Sequence, residues 1–359
     1  MKKTSVRALT GLLLLLTVSS VQAKGAKQKE TESRRTIRDL AGRTVQLPER
    51  VQKVIALAGP SYEKVFLLGG KDKLVGAHFY MLDRPWVKET NPLIGTVPPL
   101  RSPAEPNVET LLALNPDCVF FWDYPEPLQN MTNAGIPVAV VQKASGNPRT
   151  AEEFIAYQKR EIGVFASALG GTAPAKAEKW YAYLDEKTAF VKARTASIPE
   201  EQRKTAIYAY GEEGLGLFSE YSYVSYWLAL AGGKNLADET RAEMDTVVNL
   251  EQIIKWNPEV IFMGRMDSPK AVLDNPAWAG IKAVTNKEVY LCPDGVMYWD
   301  YSSEGVLLLL FLAQKMYPQL FADLDMAQET QKYYQEFYGY NLSGENAVRL
   351  LNHQGPAGK

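Results

Sequence analysis

Apolar residues in this chain fall into short unbroken runs separated by longer stretches of helical spacing. Val54-Ile55-Ala56-Leu57, Cys118-Val119-Phe120-Phe121, Ala206-Ile207-Tyr208-Ala209 and Val260-Ile261-Phe262-Met263 are continuous apolar runs, as expected of strands buried on both faces. The stretch from Thr150 to Leu169 spaces its apolar residues as one helix, and Gly170-Gly171 ends it. A longer pattern opens at Pro174 and runs to about Ser197, with Trp180, Tyr183, Leu184, Phe190 and Val191 on one face. At 1.5 Å per residue that helix spans ~35 Å, about one lobe diameter. It lacks the Gly/Ser composition of a flexible linker and reads as a rigid strut. Alternating β and α units imply open, mostly parallel sheets with helices on both faces.

An internal duplication sets the architecture. Residues 107–121 read NVETLLALNPDCVFF and residues 249–263 read NLEQIIKWNPEVIFM. Each copy predicts a short helix with Glu109 or Glu251 in its first turn, where the helix dipole favours an anion. In each, an Asn-Pro pair ends the helix and a buried strand follows. A second echo supports the first: the strand at 54–57 leads to a helix ending at Leu68-Gly69-Gly70-Lys71, and the strand at 206–209 to one ending at Ala231-Gly232-Gly233-Lys234. The glycines suit a helix C-terminus that needs a left-handed residue. The expected fold is therefore α/β, with two Rossmann-like lobes of mostly parallel sheet, one core each, joined by one long rigid helix. The expected boundaries are 36–173 for the first lobe, 174–197 for the strut and 204–352 for the second lobe.

The N-terminus changes the picture by adding a compartment. Lys2, Lys3 and Arg7 precede an apolar stretch centred on Leu12–Leu16, and Val21-Gln22-Ala23 ends it with small residues. This order marks a secretory signal over residues 1–23, cleaved near Ala23, and the apolar core is too short for a stable membrane span. No cysteine follows that core, so a lipid anchor is not expected and a free periplasmic protein is. Losing three cations shifts the net charge from −1 to −4, which argues against nucleic acid or anionic membrane as partner. Leu307–Leu312 is the most apolar later run and reads as a core helix. Cys118 and Cys292 both lie in apolar strand-like runs and read as separate buried thiols. With only His78 and His353 available, no histidine-rich metal cage can form.

These pieces resemble, in their order, the periplasmic binding proteins for ferric siderophores, haem and vitamin B12 that serve ABC importers, the helical-backbone class. Ile37–Val45 with Leu47-Pro48 is similar to that family's opening hairpin, and Leu67-Leu68-Gly69 and Leu74-Val75-Gly76 follow it. The Glu-plus-Asn-Pro-acid motif, Ala134–Val138, the strut, Val289-Tyr290 and Tyr317-Pro318 with Phe321 complete the match over nearly the whole mature chain. The resemblance implies a monomer that binds a ligand and docks on the permease dimer of the inner membrane. It also implies that Glu109 and Glu251, one per lobe, meet arginines of the permease, and that the lobes hinge little.

In open α/β sheets, ligands bind beyond the C-terminal strand ends. The loops there are aromatic: Phe79, Tyr80, Trp86, Trp122 and Tyr124 in the first half, and Tyr210, Phe218, Tyr221, Tyr223, Tyr298, Trp299 and Tyr301 in the second. Arg84, Arg101, Lys143, Arg241 and Arg265 are interleaved, with Lys143 read as a solvated surface charge. Guanidinium groups suit chelate oxygens through paired hydrogen bonds. Leu100-Arg101 before Glu105-Pro106-Asn107-Val108-Glu109 is similar to the ferrichrome-binding member of the class, where the arginine contacts ligand; here two extra residues intervene. Trp299-x-Tyr301 and Tyr124 are similar to that protein's aromatic partners. The leading expectation is a ferric siderophore. Haem held by a tyrosine, a corrinoid or a molybdate-type oxyanion stay open, and no cofactor or directly ligated metal is expected otherwise. The chain shows no Gly-x-Ser-x-Gly, no phosphate loop and no histidine beside a nucleophile, so an exported hydrolase is the distant alternative.

Overall fold

The computed structural model describes residues 33–79, 84–101, 104–143 and 147–357. The expected signal segment, residues 1–23, and Tyr80 lie outside the described residues. An antiparallel hairpin, β1 (Arg34–Arg38) and β2 (Thr44–Pro48), opens the fold. The first sheet follows, from β3 (Val54–Ala56), β4 (Leu74–His78), β5 (Pro99–Leu100), β6 (Cys118–Trp122) and β7 (Val138–Gln142). Its order is β5-β4-β3-β6-β7 and every pairing is parallel.

The second sheet holds β8 (Thr205–Tyr210), β9 (Gly216–Phe218), β10 (Lys234–Asn235), β11 (Asp245–Val247), β12 (Val260–Met263) and β13 (Val289–Leu291). β8, β10, β12 and β13 pair in parallel, while β9 and β11 run antiparallel along one edge. Between the sheets in sequence come two helices, Ala151–Leu169 and Ala173–Thr195. The second, 23 residues long, buries Ala173, Ala177, Trp180, Leu184 and Val191 along one face and packs on its predecessor and on the helix Gly305–Met316. Leu307–Leu312 is wholly buried in that last helix, and no helix among the described residues is long and apolar enough to cross a membrane.

The duplicated motif folds twice in the same way. Asn107 and Asn249 cap the helices Val108–Leu114 and Leu250–Trp256, each side chain accepting from a backbone N–H three residues on, at 2.8 and 2.9 Å. Asn115 (φ 48°) and Asn257 (φ 51°) end them in the left-handed conformation, and the following proline prevents continuation. The acid of each motif then ties down the start of the neighbouring strand. Asp117 accepts from the N–H groups of Gln52 and Lys53 at 2.6 and 2.9 Å, and Glu259 from Thr205 N–H at 3.1 Å. Gly69 (φ 75°) and Gly232 (φ 87°) are likewise equivalent left-handed helix ends.

Strand alternation assigns each lobe an outer and an inner face. Ile55, Leu57, Val119 and Phe121 join Leu111 in one outer cluster; Ile207, Ala209, Ile261 and Met263 join Ile253 in the other. The inner faces do not form separate cores. Val54, Phe120, Phe165, Trp180, Tyr208, Phe262 and Leu307–Leu312 belong to one continuous apolar cluster. This corrects the expectation of one core per lobe: Phe120 of the first sheet packs on Phe165 of the first long helix, Phe262 of the second sheet on Phe311 of the helix Gly305–Met316, and the second long helix packs against both of those helices, so the helical layer is continuous between the lobes. Arg34 onward accordingly forms one contact unit.

Candidate ligand-binding cleft

The C-terminal ends of both sets of strands supply the cleft. A cavity of about 240 Å³ is lined by Gln142, Lys143 and Asn147 after β7, and by Phe218, Ser222, Tyr223, Asp245, Arg265, Asp300 and Tyr301 from the second lobe. Arg265 follows β12 and holds a left-handed backbone, φ 56°. Its Nε donates to Asp300 at 2.8 Å. Its guanidinium lies over the rings of Phe218, Tyr301 and Tyr298, at 4.7, 5.2 and 5.5 Å from their centres. Burial works against its charge, but Asp300 outweighs burial and raises the guanidinium pKa above its ordinary value. Asp300 is buried, with a side chain only 1% exposed, so the ion pair is held firmly beside the cavity.

Tyr301 reaches across to the first lobe, where its hydroxyl donates to Gln142 Oε1 at 2.8 Å. Its ring lies against Gly59, where a Cβ would come within 2.7 Å of Cε1, so only glycine admits the ring there. Tyr223 packs on Tyr301 with 6.0 Å between ring centres. Burial raises the phenol pKa of Tyr223 well above 10.0, with Tyr157 and Glu161 adding to it, and Tyr210, held at 3.0 Å by Asp245, is raised too. Both phenols keep their protons in the ligand-free protein and can donate hydrogen bonds into the cleft. The fixed charges lining the cavity balance, Lys143 and Arg265 against Asp245 and Asp300.

The other expected site residues are distributed more widely. Arg84 bridges the lobes, paired with Asp294 and lying 3.5 Å over the Tyr298 ring. With Trp86, Asp267 and His353 this pair lines a second hollow of about 390 Å³. Trp86, in the helix Pro85–Thr90, and Trp299, at the start of the short helix Trp299–Tyr301, are core residues, 2% and 1% exposed, whose rings join the main apolar cluster. Trp122 and Tyr124 stack at 5.4 Å and 20°, and Tyr124 borders a hollow of about 520 Å³ lined by the first lobe alone. Arg101, over Phe79 at 5.4 Å, lines another first-lobe hollow with Leu57 and Leu100. Tyr221 lies 4.1 Å beneath Arg149, which pairs with Glu243 at 2.9 Å. Arg241 is solvent-exposed and paired with Glu220 at 2.7 Å. The structure thus gathers Tyr223, Arg265 and Tyr301 at one two-lobed cavity, with Tyr210 and Tyr298 beside it, and leaves Arg101, Trp122, Tyr124 and Arg241 outside it.

Lys143 corrects the sequence reading, since it lines the cavity instead of a free surface. Gln142, Asn147, Ser222 and Gly59 were missed. Gln142 did carry a signal: it is the polar residue that closes an otherwise apolar strand, at the end where ligands bind. Glu109 and Glu251 are exposed, and among the described residues neither makes a hydrogen bond or ion pair. Cys118 and Cys292 are buried free thiols, not joined in a disulfide.

The comparisons with known proteins bear on the whole arrangement. A family model described as periplasmic binding protein matches residues 54–296, more than half of the chain. The molybdate-binding protein MolA of Haemophilus influenzae is 27% identical over 339 residues, covering 88% of this chain and 94% of that protein. An uncharacterised ABC transporter substrate-binding lipoprotein of Bacillus subtilis, YvrC, is 26% identical over 309 residues, covering 83% and 90%. The crystal structure of a periplasmic solute binding protein from Veillonella parvula matches at a TM-score of 0.76 and 24% identity, covering 89% of this chain and 97% of that one. Two open sheets sharing one cleft, built from a repeated unit and matched by the family model over residues 54–296, identify this chain as a member of the periplasmic binding protein family, the substrate-binding proteins of ABC importers.

Proposed function

We propose that the protein captures a compact, oxygen-rich metal species of the molybdate class in the periplasm and hands it to a membrane permease. The observation that carries this reading is the cavity shared by both lobes. At about 240 Å³ it falls below the roughly 300–1,000 Å³ of pockets for drug-sized ligands. Its rim combines Lys143, the Asp300-paired guanidinium of Arg265 and several hydroxyl and amide donors, which suit a small ligand presenting oxygens on all sides, with Asp245 and Asp300 leaving the lining without net charge. The similarity to a relative named for molybdate binding supports the same class. A ferric siderophore is the second reading, favoured by the rings of Phe218, Tyr223 and Tyr301 and by the first-lobe hollows beside Arg101 and Tyr124, which a larger chelate would span.

The test is a titration of the purified mature protein with molybdate, ferric hydroxamate and catecholate chelates, haem and cobalamin, followed by tryptophan fluorescence and calorimetry. Saturable binding of molybdate alone is expected. Binding of a ferric chelate with no response to molybdate would transfer the assignment to the second reading.

Delivery is assigned to Glu109 and Glu251. Two equivalent lobes offering one exposed carboxylate each suit a partner with two-fold symmetry. Reversing both charges, Glu109→Lys with Glu251→Lys, is expected to abolish uptake while leaving ligand affinity intact; retained uptake would remove this role.

A further inference from the structure

The duplicated helices present more than a carboxylate. Leu111 and Ile253 fix each helix to its lobe and are buried, whereas the next residues, Leu112 and Ile254, are each 48% exposed. Each stands three residues after the glutamate, on the same helix face. A lone exposed leucine is ordinary and calls for no explanation. The correspondence is what stands out. Among the described residues, the large apolar side chains that face solvent are Leu93, Leu112, Met244, Val247, Ile254, Leu273, Leu320 and Val348, and only Leu112 and Ile254 occupy matching positions of the repeat. The two copies differ at the neighbouring positions, Thr110 against Gln252 and Ala113 against Lys255, but both place a branched apolar residue here.

We infer that Leu112 and Ile254 are the apolar half of the docking surface, and that the importer's permease dimer offers, in each subunit, an apolar recess beside the basic group that meets Glu109 or Glu251. This rests on the docking role proposed above for those glutamates. The occupant is argued from charge and symmetry together: an unpaired carboxylate and an apolar side chain, repeated once per lobe, match a partner that repeats the complementary pair. Desolvation of the apolar contact would also shield the ion pair and strengthen it.

The experiment has two stages. A photo-reactive benzoylphenylalanine placed singly at 112, 254 and, as a control, 273 is exposed to right-side-out membrane vesicles of the producing cell. The cross-linked product is then identified by mass spectrometry. Positions 112 and 254 are expected to capture the same multi-span permease, or its paired subunits, and position 273 is not. The captured permease, purified in nanodiscs, is then titrated with the ligand-loaded protein at low and high salt. Leu112→Ser with Ile254→Ser should weaken docking about tenfold or more at both salt concentrations, with ligand affinity and melting temperature unchanged. Glu109→Gln with Glu251→Gln should weaken it mainly at low salt. If the glutamate variants weaken docking and the serine variants do not, the apolar half is wrong and the carboxylate role survives. If neither pair matters, the docking face itself is misplaced.

Discussion

Arg265 holds a left-handed backbone that costs an arginine roughly 1–2 kcal/mol, and it is kept there by Asp300 and by the rings around it. Removing it strands a buried carboxylate, so Arg265→Ala is expected to lower stability by about 3–5 kcal/mol, read by urea unfolding. Adding Asp300→Asn should restore much of that stability while ligand binding stays lost, which separates the arginine's two roles. Restored binding in the double variant would show that Arg265 serves the fold alone. The sequence did single out Arg265, Tyr223 and Tyr301, because aromatic and basic residues beyond a strand end stand out against an apolar core. It could not rank them above Arg101 or Arg241, since which loops converge depends on residues distant in the chain.

The repeated helix is the element on which both structure and delivery depend. Its ends are built from asparagines, Asn107 and Asn249 capping the start and Asn115 and Asn257 turning the end. Asn107→Ala and Asn249→Ala are each expected to cost about 1 kcal/mol. The two losses should add within about 0.5 kcal/mol, because the sites share no partner. Chemical denaturation of the single and double variants checks both figures, and strong coupling would mean that the helices communicate. The helices and strands were legible because each is short, periodic and bounded by Asn-Pro or Gly-Gly. The capping role was legible too, from an asparagine just ahead of the first apolar helical residue, but the eye is drawn to the glutamate two positions later. The antiparallel edge formed by β9 and β11 was not legible, because Gly216–Phe218 and Asp245–Val247 are too short to show a period.

The lobes meet at a buried polar network as well as along the apolar cluster. Glu63 of the first lobe accepts from Ser303 N–H at 3.1 Å and from Tyr338 Oη at 2.7 Å, and its neighbour Glu304 accepts from Tyr334 Oη at 2.7 Å and Met297 N–H at 3.1 Å. Burial, with Glu63 adding to it, pushes the Glu304 carboxyl up to about 8. An unfolded glutamate titrates near ~4.3, so the folded state retains a proton that the unfolded state releases. This contribution is complete below about pH 4 and is lost as pH rises toward 8. The slope is at most about 1.4 kcal/mol per pH unit for one proton. Asp238, raised to about 6 by burial, acts in the same direction over a narrower window. Glu259 opposes them at the acid end: burial would raise it, but Lys282, the Thr205 N–H and Lys204 hold it at about 2, so its stabilisation fades only as pH falls below the ordinary carboxylate range. Stability measured by urea unfolding should therefore decline from pH 5 to 8. Glu304→Gln should flatten that decline even though it lowers stability overall, and an unchanged slope would place the proton elsewhere.

The sequence by itself determined the α/β class, the repeated lobe and the strut, since these follow from local period, helix caps and a duplication visible without folding the chain. It also placed Glu109 and Glu251 on matching helices, because equivalent sequence makes equivalent local structure. Tertiary structure alone decided that the inner faces merge into one core, that Trp86 and Trp299 turn inward, and that Lys143 and Gln142 join Arg265 and Tyr301 at the cavity. The reason is range: periodicity and capping act within a few residues, whereas the cavity is closed by residues from both sheets, Gln142 and Tyr301 lying 159 positions apart, that meet only once the lobes have packed on their shared core.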